Sequence, residues 1–290
     1  MATLRDIKSR IKGVKSTQQI TKAMKMVAAA KLRRAQESVV NARPYARKIS
    51  ELISRLVTDE DIANNPFIAA RNVSNIFFVI VTADRGLCGA FNNNILKEGT
   101  RQLESISWDP KITPHIYCVG RKCYEYFNKT DYHIAGYSTG IYSPLKYESA
   151  INISEDIIKE YLLTNYDKVV FIYNEFKSII QQRIVVEQFL PIPVQIDSAD
   201  KKNIDYIFEP GQKEILNYLL PKYFKAQMWR TLLESYAAEL GARMTAMDNA
   251  TTNAKELIRI LQLTYNKERQ AAITKEILEI VSGANAQQEG

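Results

Sequence analysis

Cysteine is scarce in this chain of 290 residues: Cys88, Cys118 and Cys123, with no Cys-x-x-Cys. A small odd number argues against a disulfide scaffold and fits a reducing compartment. Histidine is scarcer still, with only His115 and His133, and most nucleophile–base and zinc constellations need that side chain. No stretch offers the ~18–20 consecutive apolar residues of a membrane span. The longest apolar runs, around Ile76–Val81 and Lys168–Tyr173, are strand-sized. Internal repeats and low-complexity tracts are absent. What remains is ordinary for a folded protein, 46% hydrophobic and 24% charged, and excludes a disordered chain.

Charge is unevenly placed. Residues 1–48 carry 13 Lys/Arg against 2 Asp/Glu, whereas residues 211–290 carry 10 against 9. A first segment this basic predicts an acidic partner. The N-terminus is basic and amphipathic, as a mitochondrial transit peptide is, but its pattern runs unbroken past residue 35 and reads as mature protein.

Apolar residues at Leu4, Ile7, Ile11, Val14, Ile20, Met24, Val27, Leu32, Ala35 and Val39 fall in steps near three and four, one stripe of a long helix. Pro44 is expected to kink or end it. A helix of about 50 residues is about 75 Å long, too long to be packed throughout on its own globular part. A similar rhythm returns from Lys213 to Val281, through Leu232, Leu233, Tyr236, Leu240, Met244, Met247, Leu257, Leu261, Ile273, Ile277 and Ile280. Two long amphipathic helices at opposite ends of a chain predict an antiparallel coiled coil. Between them, strands and helices alternate: a strand at Ile76–Thr82, a helix at Phe91–Ile106 with Asn92 to Asn94 able to cap it, a strand at His115–Val119, a short helix at Lys122–Asn128, a strand at His133–Tyr137, a helix at Tyr147–Leu163, and a hairpin of Lys168–Asn174 with Ile184–Phe189. That alternation predicts a largely parallel, doubly wound sheet. The stretch 57–75 reads as a polar linker.

The segment "TADRGLCGAFN" (82–92) follows a strand and looks like an active-site mouth. It has neither the dinucleotide nor the P-loop fingerprint. Cys88 lacks a nearby histidine, since His115 and His133 read as half-buried strand residues. No group of His, Cys, Asp or Glu has metal spacing, and no cofactor site is expected. The basic first helix carries no interleaved aromatics before Tyr45, which disfavours nucleic acid. The residues read as a structural or coupling element, with a stand-alone coiled-coil binding protein for an acidic partner or nucleic acid as the alternative.

"ITKAMKMVAAAKLRRAQ" (20–36), "DRGLCGAFN" (84–92), "ARMTAMDNAT" (242–251) and "YNKERQAAITKEILEIVSGA" (265–284) closely resemble the gamma subunits of F-type ATP synthases. The resemblance implies an antiparallel two-helix coiled coil, 1–58 with 211–290, and an inserted Rossmann-like α/β domain, 74–200, joined by stretches 59–73 and 201–210. It implies a non-catalytic central-stalk rotor. Its partners would be three alpha and three beta subunits, the epsilon subunit and the c-ring of the membrane sector, with membrane contact only indirect and no nucleic acid. By motif match, Met24 and Arg243 resemble a pair near the shaft's base where the beta lever meets it. Arg269, Gln270, Thr274 and Glu276 resemble an upper beta contact, and Gly283 to Ala286 lie near the top. Arg85 and Cys88 resemble the loop facing an acidic helix–turn–helix of beta. Tyr206 and Glu209, in "DYIFEP", resemble the foot on the rotor ring. The inserted redox cysteines of the chloroplast type are not seen. The expected location is the cytoplasmic face of a bacterial inner membrane.

Overall fold

The computed structural model describes residues 3–193, 208–209 and 211–288. In chain order the elements are α1 (Leu4–Leu56), α2 (Asp59–Asn64), β1 (Asn75–Val81), α3 (Phe91–Ser107), β2 (Thr113–Val119), α4 (Arg121–Phe127), β3 (Ile134–Ser138), α5 (Tyr147–Leu162), β4 (Lys168–Phe176), β5 (Gln182–Leu190) and α6 (Gln212–Gln288). The chain divides into two compact units, residues 1–27 with 244–290, and residues 28–243.

In the second unit the strands lie in the order β3-β2-β1-β4-β5. All pairs are parallel except β4 with β5, so the predicted doubly wound sheet and terminal hairpin are both present. Side chains alternate across a strand, and β1 shows the consequence. Phe77, Val79 and Val81 enter one core with the end of α1 (Ile49, Ile53, Leu56), α5 (Ile153, Ile157, Tyr161) and the start of α6 (Leu216, Leu220, Phe224). Ile76, Phe78 and Ile80 enter the other, with Ile95 and Leu103 of α3 and Cys123 and Phe127 of α4.

Helix α1 does not end at Pro44. Proline removes the N–H that Val40 would accept, but the turns beyond it are held by the burial of Ala46, Ile49, Ile53 and Leu56. Arg43, next to the proline, donates from Nε and Nη2 to Glu234 and from Nη2 to Phe176 O, while Phe176 N donates to the same carboxylate. α1, α6 and the end of β4 are thus joined at one buried acid. Pairing of 43 with 234 and of Ala46 O with Gln227 makes the two helices antiparallel here.

The connection after α1 holds more structure than its composition suggests. Thr58 and Asp61 form a reciprocal capping box on α2. Phe67 packs against Phe224 at 5.0 Å between ring centroids, and Arg71 lies 4.0 Å over the Tyr161 ring while donating to Tyr161 O, Tyr166 O and Pro66 O.

In the first unit α1 and α6 are again antiparallel. Thr21 and Thr251 share a hydroxyl hydrogen bond of 2.8 Å, and Lys25 Nζ meets Asp248 Oδ1 at 2.6 Å. Asp6, Ile7, Ser9 and Arg10 line one groove with Leu261, Thr264 and Glu268. Ile7, Thr21, Met247, Ala254 and Ile258 are buried along this seam. No helix among the described residues is long and apolar enough to cross a membrane.

Candidate partner-contact site

The loop after β1 is fixed almost atom by atom. Thr82 N donates to Val119 O, and Thr82 Oγ1 accepts from Cys123 N. Asp84 accepts backbone N–H groups from Arg121, Gly140 and Tyr142 at 3.0, 2.8 and 3.4 Å, tying together the loops that follow β1, β2 and β3. Asn92 does not cap α3, whose N-cap is Ala90 without a side-chain bond. Its amide turns inward, accepting from Ala83 N and donating to Arg85 O and Cys88 Sγ. The left-handed backbone at Gly89 (φ 60) suits glycine, whereas Leu87 adopts φ 65, a conformation that costs a branched side chain. The result is that Leu87, 68% exposed, stands out from the loop.

Helix α6 backs this loop. Arg243 Nη1 donates to Gly86 O at 2.7 Å, and the same guanidinium pairs with Glu239, one turn earlier. Both side chains are nearly buried. Burial pushes the Glu239 carboxyl above its ordinary range, against the pull of Arg243. Cys88 lies in a small cluster with Ala83, Phe91 and Ala238, against Phe176 and Ala242. Burial raises its thiol, with Glu239 adding to the effect.

Open α/β sheets bind ligands in the crevice beyond the carboxyl ends of their strands, where the strand order reverses. Here that crevice lies between β1 and β4, and α6 occupies it: Glu234 takes Phe176 N, Ala238 covers Cys88, and Arg243 takes Gly86 O. The loop's carbonyls at Ala83, Arg85, Gly86 and Cys88 are taken internally and α6 fills the crevice beside them, and a buried thiol with a raised pKa offers no nucleophile. All three cysteines are buried and free. The expected behaviour towards a thiol reagent at pH 8 is therefore rapid reaction of all three in denaturant and of none in the folded chain. A fast-reacting equivalent in the folded protein, mapped to Cys88 by mass spectrometry, would show that the loop opens.

Of the residues marked by sequence, the fold gathers Arg85, Cys88 and Arg243 at this loop, but only Arg85 faces outward. Met24 is half-buried on α1. Arg269, Gln270, Thr274 and Glu276 are exposed on α6, with Thr274 Oγ1 bonded to Gln270 O one turn back. Along the same stretch Ile273, Ile277, Leu278, Ile280 and Val281 are 48–71% exposed. Glu209, before α6, is exposed, as is Gly283 within it. Tyr206 lies outside the described residues, as do the side chains of 284–286. Sequence reasoning missed Asp84, Asn92, Glu234, Glu239 and Leu87. Only Glu239 carried a signal, its four-residue spacing from Arg243.

A family model described as ATP synthase matches residues 3–287. The ATP synthase gamma chain of Prosthecochloris aestuarii is 50% identical over 291 residues, covering 99% of each chain. That of Chloroherpeton thalassium is 50% identical over 299 residues, covering 99% of this chain and 98% of the relative. Among solved structures, a chain of the Tetrahymena thermophila mitochondrial ATP synthase central stalk and c-ring is 25% identical, covers 80% of this chain and 99% of its own, and has a TM-score of 0.63. A chain of the Euglena gracilis mitochondrial ATP synthase is similar in fold, with 21% identity, coverage of 99% and 95%, and a TM-score of 0.69. This chain belongs to the ATP synthase gamma chain family.

Proposed function

We propose that the chain is the central-stalk rotor subunit of a proton- or sodium-translocating F-type ATP synthase. It transmits rotation of the membrane ring to the catalytic beta subunits and performs no chemistry itself. The observation that carries this reading is the end of α6. Its groove with α1 runs out near Glu268, beside Asp6, Ile7, Ser9 and Arg10, yet the helix continues to Gln288 with a run of exposed Ile, Leu and Val. A surface of that kind needs a cover. A ring of three alpha and three beta subunits supplies one as a sleeve around the tip. An asymmetric shaft in such a ring favours a different conformation at each of three sites, and that differential preference is what couples rotation to ATP.

Arg269, Gln270, Thr274 and Glu276 form the upper contact with beta in this reading, and Met24 belongs to a lower one. The loop presents Arg85 and Leu87 to acidic beta surface, with Cys88 and Arg243 supporting it from within. Glu209 and Tyr206 belong to the foot on the c-ring, beside the epsilon subunit. The assembly would place the chain peripherally on the cytoplasmic face of a bacterial inner membrane. The stand-alone binding protein is disfavoured by a family match that spans both helices and the sheet.

Co-expression with the alpha and beta subunits of the same source tests the reading. A stable complex whose ATP hydrolysis depends on this chain is the expected result; a chain that ignores the ring overturns it. Within that complex, Arg269→Ala with Gln270→Ala is expected to lower coupled ATP synthesis by about tenfold, the effect of losing about 1.4 kcal/mol of contact. Unchanged synthesis would remove these residues from the contact.

A further inference from the structure

We infer that His115 and His133 form a two-point chelate for one divalent transition-metal ion at the amino-terminal edge of the sheet. They are the only histidines in the chain, and the fold sets them side by side. Parallel pairing places Ile116 opposite Ile134, so the residues preceding each face one another across β2 and the start of β3. Their Nδ1 atoms are 3.1 Å apart and the rings meet edge to face at 5.2 Å. Two imidazole nitrogens bound at ~2.0–2.1 Å to one ion lie about 3 Å apart at a near-right angle, and about 3.3 Å apart in a tetrahedron. The separation of the two nitrogens is therefore close to that of a chelate before any ion arrives, and each ring need only turn its lone pair off the line between them to reach a shared ion.

The second nitrogen of His115 strengthens the case. Its Nε2 lies 3.4 Å from Asn75 Oδ1, an acceptor, so Nε2 carries the proton and Nδ1 keeps its lone pair towards His133. Metal-binding histidines commonly have their other ring N–H held in this way, which fixes tautomer and ring orientation. Asn75 is itself placed, because its backbone N–H and that of Ser74 both donate to Asp167 Oδ2. Tyr166, 5.1 Å from the His115 ring, closes one side.

Without metal, His133 Nδ1–H donates to His115 Nδ1. On binding, the His133 proton passes through solvent to its own Nε2, both Nδ1 lone pairs face the ion, and no redox change is involved. Among the described residues no group of three or more His, Cys, Asp and Glu gathers around an ion, so water fills the remaining positions. Two imidazoles suit Cu2+, Ni2+ and Zn2+ and do not suit Mg2+ or Ca2+. The bound ion would cross-link β2 to β3, an edge strand with only five residues.

The test uses the full chain with Zn2+ and Cu2+ as probes. The expected result is saturable binding of one equivalent, nitrogen coupling from two imidazoles in the Cu2+ spectrum, and a Zn2+-dependent rise in melting temperature. His133→Gln is the decisive variant, because His133 is exposed and its loss leaves the core intact. It is expected to weaken Zn2+ by more than tenfold and abolish the thermal shift. His115→Gln should do the same, and Asn75→Ala should weaken binding by about tenfold through loss of the orienting carbonyl. Absence of saturable binding, or binding that His133→Gln leaves unchanged, overturns the proposal.

Discussion

Replacing Arg243 by alanine is expected to cost about 3 kcal/mol of stability, read as a fall in the urea midpoint. The size follows from what is left behind. Glu239 and Arg243 have side chains only 10% and 15% exposed, and removing one partner of a buried pair strands the other charge. Gly86 O loses its donor as well. The pH dependence identifies the mechanism. Burial already raises the Glu239 carboxyl from an ordinary 4.5, and Arg243, which opposes that rise, is gone in the variant. A carboxyl whose folded pKa lies above its unfolded value contributes stability that is full below the unfolded pKa and is lost as pH rises through the folded one. The deficit relative to the unmodified chain should therefore be small near pH 4.5 and grow towards neutrality. A deficit of the same size at pH 4.5 and pH 8 would mean that lost packing, not a stranded carboxylate, explains the cost.

Gly120→Ala is expected to be as damaging, for a steric reason. Gly120 has φ +90, and a Cβ built there would lie 2.2 Å from Thr82 O and 2.9 Å from Thr82 Oγ1. The obstacle is backbone at the mouth of the loop, held by Val119 O on one side and Cys123 N on the other, so it cannot step aside. Backbone strain of this kind costs ~1–3 kcal/mol before the overlap is counted, and a total of about 3 kcal/mol or more is expected. Gly13→Ala is the control. Nothing lies within 4 Å of that position, which is inside α1, so alanine should stabilise the chain by ~0.5–1 kcal/mol. Equal urea midpoints for the two variants would refute the steric account.

Much of the fold was legible before any coordinates. The stripes from Leu4 to Val39 and from Leu232 to Ile280 announced two long helices, because a helix that must bury one face repeats every 3.6 residues. The apolar runs at Ile76 and Lys168 announced inner strands of a parallel sheet, buried on both faces. Where local pattern and tertiary packing disagreed, packing won. Pro44, expected to kink or end α1, did not end it, because the residues after it are anchored in the core. Asn92, a plausible cap by composition, instead became an internal strut. Phe67 and Arg71 gave a polar-looking connection its place on Tyr161 and Phe224.

The site was legible in a different sense. The four motifs marked the stretches expected to meet partners, and the loop among them came to lie beside α6. Which side chains face outward was not written in the motifs. Arg85 is exposed while Cys88, three residues on, is buried, and Arg243 points into its own molecule. The sequence by itself determined the period and length of the terminal helices, the alternation of strand and helix between them, and the family. These depend on local spacing, which is one-dimensional information. Only the tertiary structure decided that α6 fills the crevice between β1 and β4, that Asp84 gathers three loops, and that the two histidines meet across neighbouring strands. Each of those joins residues from 18 to more than 100 positions apart, and such contacts exist only once the sheet order has brought distant segments together.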